Sequence, residues 1–439
     1  MKTKTVIIGG GISGLSIGHY LNKINSDFLI IEKNNRLGGN IFSENINGFI
    51  CENGPNTILL NNIEIKELIE DINLSKEIYW PNEKVIKNRY VLKNNILKRL
   101  PTSLLDFLST DLISIKDKVS IFKEPFISKH KKDTSISNFF KKRFGNGIYT
   151  NFVLPFITGI YAGKPEMISV KYGLNKIWEL EQSYGSILKG LILKKRKKEK
   201  SMIFSFSNGL SDLINGIAKP ILNKIKTNTR IKKINYNENL YYIYTEKEII
   251  ECEKIICTIP AFNIADLINN NELKNELLNI NYLPVDIIHL GFKKNTIKNK
   301  DMGYGILTKP SDKKSFLGVL FSSRIFPHTS PKDQELFTVI IGGDRQKELC
   351  NLEENKLQKI IIEEVKEMLE INSTPSFIKH FKWKKGIPQY DLRHNKLLNC
   401  IKKFNLNNPN FHLLSNYTNG ISVSDCVKKA KKIVDKLYL

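Results

Sequence analysis

The chain has 439 residues, enough for a large core and two or three regions, and carries 68 Lys plus Arg against 44 Asp plus Glu, a formal charge of +24. The surplus suits an anionic lipid surface or an acidic small molecule, or reflects the Lys, Asn and Ile bias of a whole proteome. Zinc-finger spacing, RNA-recognition signatures and basic stripes interleaved with aromatics are missing, which excludes the usual nucleic-acid binders.

The first element is a strand from Thr3 to Ile8, followed by Gly9-Gly10-Gly11-Ile12-Ser13-Gly14, a helix from Leu15 to Ile24, and a second strand, Phe28 to Ile31, closed by Glu32. That order is the βαβ unit that holds an ADP moiety. Gly9 makes the tight turn, Gly11 admits the pyrophosphate to the backbone, and Gly14 lets helix and strand pack closely. Glu32, eighteen residues after Gly14, is positioned to accept hydrogen bonds from ribose hydroxyls. Arg36 and the pair Gly38-Gly39 follow at once. A second glycine turn there suits a long cofactor held from two sides, which favours FAD over NAD.

Gly48 to Asn56 reads as a short strand and a Gly-Pro turn, and Ile63 to Ile72 as a helix. From Leu100 to Phe144, apolar positions such as Leu104, Leu105, Leu108 and Leu112 recur at helical spacing, broken at Pro101 and Pro125. Helices continue over Ile148–Phe156 and Gly173–Leu193, making an inserted helical layer. The run Lys194 to Lys200, KKRKKEK, is a solvated or lipid-facing surface.

A helix is expected over Gly209–Asn223, then antiparallel strands over Thr229–Asn235, Leu240–Thr245 and Lys247–Cys252. Glu253–Thr258 should be a separate strand returning to the cofactor sheet. Val285–Phe292, Leu317–Phe321 and Leu336–Gly342 suggest a second sheet, Leu349–Leu369 a long amphipathic helix, Phe411–Leu414 a last strand, and Ser422–Lys436 the final helix. The predicted fold is α/β, with a Rossmann-like FAD-binding domain assembled from separated segments (1–75, 208–268 and 385–439). A mixed-sheet substrate-binding domain (76–98 and 269–384) and an inserted helical, membrane-associated region (99–207) complete it.

Six cysteines are scattered without a CxxC pair, so metal and dithiol chemistry have no support, and free thiols in a reducing compartment are expected. No apolar run reaches the roughly 18 residues of a spanning helix. Met1-Lys2 leads straight into the first strand, leaving no room for a cleaved signal. Together these predict a cytoplasmic protein, peripheral at most on the inner face of the cell membrane.

Five further segments narrow the assignment: Gly54-Pro55-Asn56; Gly159-Ile160-Tyr161-Ala162-Gly163-Lys164-Pro165 with Ile168-Ser169; Phe321-Ser322-Ser323 with Phe326-Pro327; Ile387-Pro388-Gln389-Tyr390; and Ser415-Asn416-Tyr417 with Gly420 to Cys426. With them, nearly the whole chain resembles the oxygen-dependent, FAD-type protoporphyrinogen oxidase family, within the wider flavin amine-oxidase and phytoene-desaturase superfamily. The resemblance implies oxidation of a porphyrinogen substrate to a porphyrin in haem synthesis, with FAD taking hydride and molecular oxygen reoxidising it. A peripheral membrane protein, often a homodimer, is also implied.

By the same resemblance, Gly9, Gly11, Gly14, Glu32, Arg36, Gly38, Gly39 and Ile231 would hold the ADP half of the cofactor. Asn416, Gly420, Ile421 and Val423 would lie near its ring. Gly159 would face the reactive methylene, Arg89 a propionate, and Phe321 and Leu307, with Ile306, the apolar walls. Bland alternatives stay open: a helix-ending glycine, a surface arginine and a core phenylalanine. Ser415 stands where the family often has glycine, and Arg393 where it commonly has glycine before His394, which reads as structural more readily than catalytic. The competing functions are a coproporphyrinogen III oxidase, a carotenoid desaturase, an amine oxidase, and a porphyrin-binding flavoprotein without activity.

Overall fold

The computed structural model describes residues 1–194, 202–298 and 303–439. All of the basic run after Lys194 lies outside the described residues.

The nucleotide sheet runs in the order Ile225–Lys226, Phe28–Ile31, Lys2–Ile8, Ile249–Cys257, Leu240–Thr245, Ile231–Asn237, with Phe411–Leu413 alongside the end of Ile249–Cys257. The first four strands are parallel, as a βαβ unit requires. The two strands expected over 247–258 are one, Ile249–Cys257. The front half of Ile249–Cys257 closes the antiparallel meander (Tyr242 opposite Glu251), while its back half pairs in parallel with Phe411–Leu413. Its other edge joins Lys2–Ile8 throughout. One strand therefore ties three segments far apart in sequence into one sheet.

Both faces of this sheet are covered at its centre, where Phe28–Ile31 is a continuous buried apolar run. Helices Ile12–Lys23, Ser211–Ala218 and Val423–Tyr438 bury Leu15, Leu213 and Val427 on one face. On the other lie Leu277 and Leu397, from Asn271–Leu278 and His394–Asn407.

The second sheet is mixed: Phe377–Pro388, Tyr282–Lys293, Gln334–Gly342, Gly318–Leu320, Gly305–Leu307, Arg89–Lys93, Ile96–Arg99. Gly305–Leu307 is antiparallel to one neighbour and parallel to the other. Helix Glu354–Leu369 closes its back through Leu357, Ile361 and Val365.

The helical layer is more broken than the periodicity suggests. Leu104–Ser109 and Ile115–Ser120 are short helices with serine N-caps, Pro125 sits in a 3-10 turn, and Gly185, at φ +69°, separates Asn175–Tyr184 from Ile187–Leu193. Fully buried Arg143 holds the layer together. It donates to Glu181 and Glu124 at 2.7 Å and to the Gly185 carbonyl at 3.0 Å, while Glu124 also accepts from Ile187 N at 2.9 Å. No described helix is long and apolar enough to cross a membrane.

Candidate active site

A cavity of about 1120 Å³ opens where the two sheets and the helical layer meet. That exceeds the roughly 300–1,000 Å³ of ordinary small-molecule sites, leaving space for a long cofactor with a second ligand. One end is the glycine turn. Gly9 has φ +109°, and its neighbour Thr258 donates through Oγ1 to the carbonyl of Ile8 at 2.9 Å, bracing the bend. A β-carbon on Gly14 would stand 1.9 Å from the Gly9 carbonyl oxygen, so only glycine lets the helix start so close to the strand. At Gly11 the nearest atom to such a carbon is Gly39 Cα, at 3.8 Å. The Gly11 face therefore leaves its backbone open to the cavity.

Helix Ile12–Lys23 starts on this face with no side-chain cap, so its first N–H groups meet the cavity as an anion site. Buried Glu32 accepts from Gly10 N at 2.8 Å through one carboxylate oxygen and from Asn34 N at 2.9 Å through the other. The oxygen bonded to Asn34 N also accepts from Asn34 Nδ2 at 2.9 Å, so the one facing Gly10 keeps the lone-pair direction for a hydroxyl. Ile231 enters the lining at the same end, because Thr229 N bonds the Glu32 carbonyl at 2.9 Å and draws that segment alongside. The uncapped helix start, the bare Gly11 face and the Glu32 carboxylate fit the ADP half of FAD.

Arg36 borders the cavity but spends its guanidinium on backbone. It donates to the carbonyls of Leu37 and Ile41 at 3.0 Å and of Gly39 at 2.7 Å, and stacks over Phe42. Its contribution is to shape the Gly38-Gly39 turn, whose φ values are +99° and +60°.

The far end is built from two walls. One is the end of helix Leu154–Tyr161, where Gly159 and Ile160 line the space with Ala162, a non-glycine residue at φ +51°. The other is the segment Ser415–Val423, contributing Asn416, Ile421 and Val423. The Ile-Pro-Gln-Tyr segment braces both. Gln389 Nε2 donates to the Tyr161 carbonyl at 2.8 Å, and the Tyr390 hydroxyl donates to the Asn416 carbonyl. His394 is buried, and its Nε2 lies 3.0 Å from the Thr418 carbonyl. Since a carbonyl only accepts, Nε2 carries the hydrogen. Burial holds the His394 pKa below its ordinary value despite that bond, so it is a neutral structural donor. Arg393 points outward to Asp391 at 2.7 Å.

Six expected residues lie elsewhere, for different reasons. Gly14 and Gly420 act behind the lining as close-approach positions; a β-carbon on Gly420 would meet Asp425 Cβ at 2.7 Å. Phe321 is fully enclosed, edge-on to Phe337 at 5.5 Å, and Ile306 is likewise core, so neither is a cavity wall. Arg89 is exposed, its guanidinium 5.0 Å from the Tyr304 ring. Tyr304 borders a small side chamber that shares Asn56 and Thr57 with the main cavity, so Arg89 stands one layer behind the wall. Leu307 is outside the lining but touches it through Gly159. Trp383 and Lys385 also line the cavity; they come from strand Phe377–Pro388, whose alternation over Phe377, Lys379, Phe381 and Trp383 was the available signal.

The profile of the family described as flavin containing amine oxidoreductase matches residues 12–437. Protoporphyrinogen oxidase 2 of Arabidopsis thaliana is 27% identical, over 98% of this chain and 93% of that protein. The coproporphyrinogen III oxidase of Bacillus subtilis is 24% identical, over 99% and 97%. Among solved structures, one from Exiguobacterium sp. superposes with a TM-score of 0.86 at 21% identity, covering 99% of this chain and 98% of that one. A putrescine oxidase bound to putrescine gives 0.75 at 12% identity, covering 100% and 99%. At those identities the superpositions establish the fold.

Proposed function

The chain belongs to the flavin-containing amine oxidoreductase family, and from that premise we propose that it oxidises protoporphyrinogen IX to protoporphyrin IX in haem biosynthesis, with FAD as cofactor and oxygen as final acceptor. The observation that carries this reading is that a single cavity has the ADP-type glycine turn at one end and the Gly159 and Asn416–Val423 walls at the other. Matches to protoporphyrinogen oxidases over nearly the full chain support the substrate class.

Bound FAD supplies the electron sink for hydride. The chain's residues bind and orient. The start of helix Ile12–Lys23 and Gly11 hold the diphosphate, and Glu32 takes ribose hydroxyls. Gly159 leaves room for a flat macrocycle near the ring end, and Ile160, Ile340, Ile387 and Ile421 keep water from it. Arg89, exposed one layer behind the wall, is the cation proposed for a propionate. The described lining includes no histidine, so the pyrrole N–H proton is taken to leave to solvent, assisted by solvent or by a backbone carbonyl that accepts a hydrogen bond from the N–H.

A second reading, coproporphyrinogen III to coproporphyrin III, is favoured by Lys385, one of three lysines at the lining with Lys33 and Lys232, and by the Bacillus subtilis relative. Two extra propionates would gain from that cation. The test is porphyrin fluorescence from FAD-loaded protein given either porphyrinogen in air, with flavin-free protein as the autoxidation control. Faster enzyme-dependent formation of protoporphyrin supports the first reading, and of coproporphyrin the second. No enzyme-dependent rise with either sinks both.

The proposal extends to a peripheral seat on anionic lipid at the inner face of the cell membrane. Leu105, Ile115, Phe122 and Phe126 on the helical layer are 67–87% exposed, among Lys116, Lys118 and Lys123.

A further inference from the structure

Lys429 projects from the final helix, Val423–Tyr438, behind the Ser415–Val423 wall. Its ammonium donates to the Ser415 carbonyl at 2.7 Å and to the Gly420 carbonyl at 3.2 Å, the two ends of the loop that presents Asn416 to the cavity. Neighbouring lysines on the helix are paired differently: Lys428 with Glu64 at 4.0 Å, and Lys431 with Asp435. Lys429 makes no described ion pair. Asp425, one helical turn before it, accepts from the Ser422 hydroxyl at 2.6 Å and attracts the Lys429 charge, while burial lowers the Lys429 pKa. Cys426, one helical turn before Lys429, is itself in the cavity lining. An ammonium bonded only to neutral carbonyls thus sits directly behind the wall, where its field is screened far less than at a surface.

The position also accounts for the serine at 415. The turn needs no left-handed residue there, because Ser415 has no positive φ. Lys429 from outside and Thr418 Oγ1, at 2.8 Å from the Ser415 carbonyl, close the loop instead.

Given the FAD reading on which it rests, with the ADP half at the glycine turn and the ring therefore at the opposite end, we infer that Lys429 is a positioning residue for the flavin. It pins both ends of the 415–420 loop, and its positive charge favours the electron-rich reduced ring, raising the reduction potential.

The test compares wild type, Lys429→Gln, Lys429→Met and Lys429→Arg, each loaded with FAD, by FAD dissociation constant and by midpoint potential against a reference dye. Both neutral variants should favour the oxidised ring by about tenfold, near 30 mV for a two-electron couple, and bind FAD several-fold more weakly. Gln keeps amide donors for the carbonyls and so preserves the fold if Met does not. Arg, which retains the charge, should stay within about twofold of wild type, near 10 mV. An unchanged potential in Lys429→Gln overturns the inference, as does a fall in Lys429→Arg as large as in the neutral variants. Failure of the wild type to bind FAD overturns the cofactor reading instead.

Discussion

Gly159 and Leu307 face each other across the junction of the helical layer and the second sheet so closely that a β-carbon on Gly159 would stand 2.6 Å from Leu307 Cδ2. The same methyl lies 3.2 Å from a β-carbon built on Gly318. Leu307 is therefore wedged between two glycines, and the missing Gly159 side chain accommodates protein on one side and the cavity on the other.

That geometry predicts different outcomes for two substitutions. Gly159→Ala should fold, because a leucine tip can shift and alanine favours the helix by about 1 kcal/mol, and Leu307→Ala should relieve the remaining crowding. Gly159→Leu should retain FAD yet lose turnover by about 100-fold, the scale of a 1 Å displacement of a reacting group. Flavin absorbance and porphyrin fluorescence check the two halves. Full turnover in Gly159→Leu would remove the residue from the proposed site.

Gly11 and Gly14 separate ligand approach from chain packing. Gly14→Ala forces a carbon against the Gly9 carbonyl, so the flavin-free protein should lose about 1–3 kcal/mol, the usual cost of overpacking. Gly11→Ala meets nothing closer than 3.8 Å, so the flavin-free protein should melt like wild type while FAD affinity falls about tenfold or more, 1.4 kcal/mol per decade. Denaturation of both flavin-free variants and FAD titration decide it; equal FAD affinity in Gly11→Ala and wild type would refute the close approach.

These glycines and Glu32 were legible in the sequence because a βαβ unit is local: strand period, turn chemistry and helix period lie within about 30 residues. The later wall was legible only through the resemblance, since nothing in Asn416 or Ile421 alone announces a ligand. What stayed hidden depended on distant partners. Arg36 reads as a free cation until its three carbonyl acceptors are folded around it. Phe321 owes its burial to Phe337 on another strand, and Trp383 reaches the cavity because strand Phe377–Pro388 pairs with Tyr282–Lys293. Residues 247–258 looked like two strands because the two halves of that single strand have different neighbours on one edge.

Glu52 predicts a pH dependence of stability. Burial raises its carboxyl to about 7 from 4.5, against hydrogen bonds from Ser43 and Leu210 N that lower it. The folded protein therefore holds this proton while the unfolded chain releases it. Stability from this group is complete below about pH 4.5 and is lost as pH rises through about 7, a difference of about 3 kcal/mol. Glu52→Gln can keep both bonds, accepting from Leu210 N and donating to Ser43. Relative to wild type it should gain stability between pH 5 and pH 8 in urea denaturation, and parallel curves for the two proteins would refute the buried, proton-holding carboxyl.

The proposed lipid seat predicts an effect separable from chemistry. Leu105, Ile115 and Phe126 are 77%, 78% and 87% exposed, and burying each such side chain is worth about 1.5–3 kcal/mol. Changing all three to serine should lower co-sedimentation with vesicles containing phosphatidylserine by more than tenfold, while leaving the melting temperature and FAD content unchanged, since none of them is a cavity-lining residue. Binding of the wild type should also weaken with salt, because Lys116, Lys118 and Lys123 surround the apolar tips and their attraction to anionic headgroups is screened within about 10 Å at 0.1 M. If wild type and triple variant sediment equally at every salt concentration, this face does not meet the membrane, and these side chains require another partner.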